Sequence, residues 1–192
     1  MADEPQEALG GKTPLEAAKT PAMDALAAQA EIGLLQTIPK GMSPGSDTAN
    51  LAVLGYDPRR FYTGRSPLEA LSIGVPMKGT DVAMRCNLVT LSEEEENYEK
   101  KRIIDHSSDE ISTEDAAILL DALKKEFENE TYQFYTGTSY RHCVIWANGN
   151  VAELEPPHDH LTEVIGPYLP GDFALRAMME RSYEILSKHP LN

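Results

Sequence analysis

The spacing of apolar residues changes character along this chain. Over residues 13–74 they come in short clusters cut by Gly and Pro. Two clusters open the same way: Thr13-Pro14-Leu15-Glu16-Ala17-Ala18 and Thr20-Pro21-Ala22-Met23 each set a capping threonine before a proline and helix formers. They predict two helices, the second running to Ala30. Gly33-Leu34-Leu35-Gln36-Thr37-Ile38 predicts a short strand, followed by a Gly- and Pro-rich loop over residues 39–45. A helix is expected from Ser46 to near Gly55, and another from Ser66-Pro67-Leu68-Glu69.

Beyond Gly74 strands appear. Residues 81–91, rich in Val, Leu and Thr, predict one long strand, and Arg102-Ile103-Ile104-Asp105 a short one. Ser112 caps an amphipathic helix through about Phe127, with Ala116, Leu119, Leu120 and Leu123 on one face. Residues 131–134 and 139–146 read as two strands around Thr136-Gly137-Thr138. A proline-containing loop over 156–170 leads to a last helix from about Asp172 to Lys188. The expected fold class is therefore α/β and α+β in two parts. Residues 1–75 carry helices and one short strand, too little to build a sheet, and residues 76–192 form a self-sufficient α+β domain. No internal repeat is long enough to imply a solenoid.

Composition narrows the function classes. In 192 residues, 31 acidic side chains against 17 Lys and Arg give a formal charge of −14. That balance argues against nucleic acid or an anionic membrane as a partner, while a local arginine cluster still suits a small anionic substrate. No apolar run approaches the roughly 18 residues that span a bilayer, and the N-terminus has no signal-peptide core. The two cysteines, Cys86 and Cys143, fall in apolar strand-like segments and read as buried thiols of a reducing compartment. The expectation is a soluble, cytoplasmic protein; oligomeric state stays open, a homo-oligomer included.

One turn carries candidate chemistry. Pro44-Gly45-Ser46-Asp47-Thr48-Ala49-Asn50 delivers a serine to the start of a helix whose next residues, Leu51-Ala52-Val53-Leu54, are apolar enough to bury. Unpaired N–H groups and the helix dipole make that position favourable for a phosphoryl group. The plain alternative is a helix cap. His158 and His160 would share one face of an extended segment, so a metal pair is geometrically open, but two histidines without a third ligand are a weak signal beside a loop contact. A Cys143–His142 dyad is excluded because adjacent strand residues face opposite ways. The run Glu93-Glu94-Glu95-Glu96 reads as a solvated loop.

Six segments, G-G-K-T-P-L-E-A-A-K-T-P-A-M-D (10–24), P-G-S-D-T-A-N-L-A-V-L-G-Y-D-P (44–58), F-Y-T-G-R-S-P-L-E-A-L (61–71), D-V-A-M-R-C-N-L-V-T (81–90), S-Y-R-H (139–142) and P-P-H-D (156–159), are long and span nearly the whole chain. Together they resemble the archaeal-type 2,3-bisphosphoglycerate-independent phosphoglycerate mutase family of the alkaline phosphatase superfamily. The resemblance implies an alkaline-phosphatase-like catalytic domain followed by an inserted α+β substrate-capping domain. It implies that Ser46 accepts a phosphoryl group and touches metal, and that phosphate moves between the 3- and 2-hydroxyls of glycerate through a phosphoserine. Two divalent ions, manganese or magnesium, would activate the serine. Arg65, Arg85 and Arg141 would hold the anionic substrate, since a guanidinium fork matches phosphate and carboxylate oxygens. Their plain alternative is an ordinary salt bridge. His142 would position glycerate, and His158 and Asp159 fall on the substrate side.

The family pattern begins with an apolar strand ending in Asp-Gly, whose aspartate binds metal; Met1-Ala2-Asp3-Glu4-Pro5 resembles the residues just after it. His189-Pro190-Leu191-Asn192 resembles the point where the family chain re-enters its catalytic domain. The chain is thus expected to be a fragment that binds no catalytic metal and lacks mutase activity, while its parent has both. Asp105-His106-Ser107-Ser108-Asp109-Glu110-Ile111 departs from the family, where many members carry glycine and a basic residue before the isoleucine. Rival functions are another metal-dependent phosphotransferase or phosphatase of the superfamily and a non-catalytic binding module. A homoserine-kinase-like activity fits poorly, because no G-x-x-x-x-G-K-[ST] nucleotide loop is present.

Overall fold

The computed structural model describes residues 4–150 and 153–191. Readings that fall on Met1, Ala2, Asp3 and Asn192 lie outside them. The chain divides into two compact units, Met1–Tyr62 and Thr63–Asn192. The division falls earlier than the shift in pattern near Gly74, because the helix at residues 65–72 packs on the first strand of the second unit.

The first unit is helical. In α1 (Pro14–Ala17) the Thr13 hydroxyl accepts the Glu16 N–H at 3.2 Å and the Glu16 carboxylate accepts the Thr13 N–H at 2.8 Å, a closed capping box. α2 (Pro21–Ala27) starts behind Thr20, whose hydroxyl donates to Asp24. α3 (Ser46–Val53) and a short α4 (Pro58–Phe61) follow, the latter capped by the Asp57 carboxylate on the Arg59 N–H. The strand expected at residues 33–38 does not form: the segment joins no ladder, and Ile32, Leu34 and Leu35 stand exposed. A strand needs a sheet edge to satisfy its backbone, and among the described residues this unit contains none. Thr48 and Pro58 are its only buried residues among those described.

The second unit carries α5 (Arg65–Ser72), β1 (Val82–Asn87), β2 (Thr90–Leu91), β3 (Ile103–Asp105), α6 (Thr113–Phe127), β4 (Tyr132–Tyr135), β5 (Arg141–Trp146) and α7 (Phe173–Leu186). An antiparallel sheet runs β1-β5-β4, with Arg85 opposite Cys143 and Cys86 opposite His142. Side chains alternate between faces, so Ala83, Arg85, Asn87, Arg141, Cys143 and Ile145 share one face, and Met84, Cys86, His142, Val144 and Trp146 the other. α5 covers the first face through Ala70, with Val75 just beyond it. The second face packs Met84, Phe134 and Val144 against Leu120 and Leu123 of α6 and Leu175 of α7. Trp146 borders this core, its ring 5.6 Å from that of Tyr132.

The long strand expected over 81–91 is two strands. Leu88 turns inward and donates its N–H to the Tyr140 carbonyl at 2.9 Å, while β2 leaves the sheet to pair with β3 through an irregular register. The acidic run after Ser92 curls around buried Lys101, whose ammonium donates to the Ser92 and Glu95 carbonyls at 3.0 and 2.6 Å and lies over the Tyr183 ring. Three consecutive non-glycine residues, Ser108, Asp109 and Glu110, hold φ near +50°. The Asp105 carboxylate steadies this turn by accepting the N–H groups of Ser107 and Asp109.

Candidate functional site

In the second unit α5, the adjoining ends of β1 and β5 and the β4–β5 turn enclose a cleft of about 250 Å³. Ser66, Glu69, Arg85, Thr138 and Arg141 line it among others. β1 and β5 deliver Arg85 and Arg141 to the same face by alternation. α5 delivers Arg65 and Glu69 at a four-residue spacing that brings them together. One Glu69 oxygen accepts Arg65 Nε–H at 2.8 Å and lies 3.9 Å from an Arg85 nitrogen. Arg85 Nε–H donates to Asn87 at 3.2 Å. Two guanidinium groups thus share one carboxylate; Arg85, Arg141 and His142 line the cleft itself, Arg65 stands beside it on Glu69, and the local excess of positive charge suits an anion. Arg85 is the least exposed of the Glu69-linked pair, at 24% against 56% for Arg65, so its charge is the less screened.

His142 is buried, 4% exposed, on the opposite sheet face from Arg141. Its Nδ1 accepts the Gly137 N–H at 3.2 Å, and its Nε2 has no partner among the described residues. Burial, with Lys124 nearby, pushes the ring's pKa down to about 4, so it is neutral near pH 7. Burial likewise raises the thiols, Cys86 to about 12 with Cys143 beside it, and Cys143 to about 11 with Glu69 nearby. Both cysteines are free and sit on opposite sheet faces. A reactive thiolate at Cys143 is not supported.

The 156–160 segment is not extended. Residues Pro157–Asp159 form a 3₁₀ turn, which separates the two histidines that an extended chain would align. His158 lies 3.6 Å from the Asp159 carboxylate and 6.3 Å, ring to ring, from His106. His106 in turn meets Tyr140, whose ring lies 5.4 Å from the Arg141 guanidinium. His158 therefore connects to the cleft's rim through a file of rings. His160 instead stacks on Tyr168 and takes Glu163 at 3.2 Å. No group of three or more His, Cys, Asp or Glu side chains among the described residues could hold a metal ion.

Ser46 belongs to the first unit. It is not the cap of α3: Gly45 is, with an extended backbone, and Ser46 is the first helical residue, exposed to solvent. A Cβ at position 45 would collide with the Asp47 carboxylate, so any other residue there would have to displace that side chain from its bonds to Thr48 and Tyr62. Asp47 accepts the Thr48 N–H at 2.9 Å and the Tyr62 hydroxyl at 2.5 Å, tying the start of α3 to the residue after α4. The serine hydroxyl is left outside that network, at the positive end of the helix.

Glu69, Thr138 and Gly137 belong to the cleft without having been expected there. Glu69 had a signal, its four-residue spacing from Arg65; the others depend on how the hairpin closes.

The 2,3-bisphosphoglycerate-independent phosphoglycerate mutase family model matches residues 27–192. A protein of that name from Methanosarcina barkeri is 49% identical over all of this chain and 48% of its own length. A solved structure from Pyrococcus horikoshii superposes over all of this chain and 43% of its own, with TM-score 0.69 and 28% identity. A cofactor-independent phosphoglycerate mutase from Thermoplasma acidophilum gives TM-score 0.52 and 26% identity over 99% of this chain and 50% of that one. The chain spans about half the length of the curated relatives it matches.

Proposed function

Because the chain belongs to the 2,3-bisphosphoglycerate-independent phosphoglycerate mutase family, we propose that the protein built on it interconverts 3-phosphoglycerate and 2-phosphoglycerate, with Ser46 as the phosphoryl carrier. Ser46 Oγ bonds to phosphorus as the bond to the glycerate oxygen breaks, and the serine proton ends on the released hydroxyl. Glycerate then turns, and its other hydroxyl oxygen bonds to phosphorus as the bond to Ser46 Oγ breaks, its proton returning to the serine oxygen. Arg85, Arg65 and Arg141 hold the phosphate and carboxylate charges, and His158 and Asp159 approach from the rim. Residues 1–75 contribute to the catalytic domain and residues 76–192 to the substrate-capping domain, in the cytoplasm.

Two divalent ions, manganese or magnesium, belong to this reading of the complete enzyme; when bound they would lower the pKa of the serine hydroxyl and neutralise phosphoryl charge. The described residues do not fit such a pair by themselves, since Ser46 offers one oxygen and no three-ligand cluster accompanies it. What these residues contribute is the phosphoryl acceptor and the anion-binding cleft.

The observation that carries the proposal is the family match over residues 27–192, which contains Ser46 and all three arginines. In a protein of the relatives' full length, S46A is expected to abolish turnover of 3-phosphoglycerate and the appearance of phosphoserine, with phosphatase activity assayed in parallel. Retained mutase turnover would remove Ser46 as the nucleophile.

A further inference from the structure

We infer that His142 is a positioning residue: its Nδ1 holds the Gly137 N–H, so that the turn at residues 136–140 presents Thr138 and Arg141 to the cleft. The inference deepens the functional reading above and rests on it for the ligand.

Two backbone bonds hold the far end of the turn, the Arg141 N–H to the Thr138 carbonyl at 3.1 Å and the Leu88 N–H to the Tyr140 carbonyl at 2.9 Å, and neither reaches Gly137. The turn's residues, Thr136, Gly137, Thr138, Ser139 and Tyr140, include no residue buried in the core. Ser139 ties the outer side of the turn to the start of α6: its N–H donates to the Thr113 hydroxyl and its hydroxyl to the Ile111 carbonyl. The inner side is held where the chain re-enters the sheet. There Gly137 lies so close to the Arg141 carbonyl that a Cβ would collide with it, and the imidazole of the next residue receives the Gly137 amide. A turn drawn this tightly onto β5 sets where the Arg141 side chain leaves the strand.

The unpartnered Nε2 strengthens the argument. A nitrogen that accepts an N–H cannot carry a proton, so the neutral ring bears its hydrogen on Nε2, where it is buried without an acceptor among the described residues. This assigns the tautomer, and with it the acceptor role of Nδ1 toward Gly137. Register places that ring on the sheet face opposite Arg85 and Arg141, while His142 also contributes to the lining of the cleft, so a direct contact and an effect through the turn are told apart by binding.

Three measurements on the 192-residue chain test this. First, imidazole ¹⁵N shifts of the unaltered chain at neutral pH should show a protonated Nε2 and a bare Nδ1 at His142; the opposite tautomer overturns the proposal. Second, H142N keeps an acceptor near the Nδ1 position and loses Nε2, while H142L keeps bulk and loses both. Amide hydrogen exchange at Gly137 should stay within about threefold of the unaltered chain in H142N and rise about tenfold or more in H142L, the scale of one hydrogen bond. Unchanged exchange in H142L overturns the proposal. Third, calorimetric titration with 3-phosphoglycerate should show H142N near the unaltered affinity and H142L weakened about tenfold. Equal weakening in both variants, with Gly137 still protected in H142N, would make Nε2 a direct ligand contact and overturn the positioning role. If the unaltered chain fails to bind 3-phosphoglycerate, that counts against the functional reading, and the tautomer and exchange results decide His142.

Discussion

Arg85 shows how little of a binding site is a single charge. Its guanidinium reaches Asn87 with one nitrogen while another faces Glu69, leaving a planar fork oriented across the cleft. R85K preserves the charge and loses the fork, so 3-phosphoglycerate affinity is expected to fall about tenfold by calorimetry, more than screening of one exposed ion pair explains. His142 supplies a second expectation. Its pKa is about 4 folded and near 6.5 unfolded, so between those values the unfolded chain binds more protons. Stability is then complete above about pH 6.5, falls as pH drops through that window, and levels off below about 4, with a full extent of about 3 kcal/mol. Urea unfolding followed by circular dichroism at pH 7 and 4.5 measures it, and H142N should flatten the slope. That Arg85 and Arg141 share a cleft was legible in the motifs that flank them, whereas Arg65 stands beside it, paired with Glu69. The face His142 occupies was not, since alternation says only that it opposes Arg141, not which face carries the cleft.

Helix ends were the most legible elements. Thr13, Ser112 and Asp172 each accept a backbone N–H at the start of α1, α6 and α7, the local chemistry their residue types imply. S112A should cost about 1 kcal/mol by urea unfolding, the usual worth of such a cap. α4 escaped notice because four residues show no periodicity, although Asp57-Pro58 is itself a cap followed by proline. The split of residues 81–91 could not be read either. Continuous apolar character looks the same whether one strand continues or turns, and the turn depends on Leu88 meeting Tyr140, more than fifty residues away in the chain. G137A should destabilise the second unit by a few kcal/mol and weaken 3-phosphoglycerate binding, because its Cβ has no space beside the Arg141 carbonyl.

At the scale of the molecule the two units differ in kind. The second has buried apolar clusters on both sheet faces; the first buries only Thr48 and Pro58 among its described residues. Burial contributes about 25 cal/mol per Å², against roughly 1–2 kcal/mol of backbone entropy for each ordered residue. Helices that leave Leu26, Val53 and Leu54 exposed therefore have little to hold them. Amides of residues 4–62 are expected to exchange far faster than those of β5 by mass spectrometry, and equal protection of both would contradict this account. The strand expected at residues 33–38 does not form, because an apolar pattern describes one segment and pairing is a property of two.

Trp146 gives this asymmetry an optical form. It is the chain's single tryptophan, at the edge of the second unit's core, with Tyr132 at 5.6 Å as an energy donor. Its emission therefore reports the sheet of the unit it belongs to. A preparation of this 192-residue chain with unshifted emission and a sharp melting curve can still have lost order around Ser46, and a spectroscopic test of that segment needs a second fluorophore, placed before residue 62.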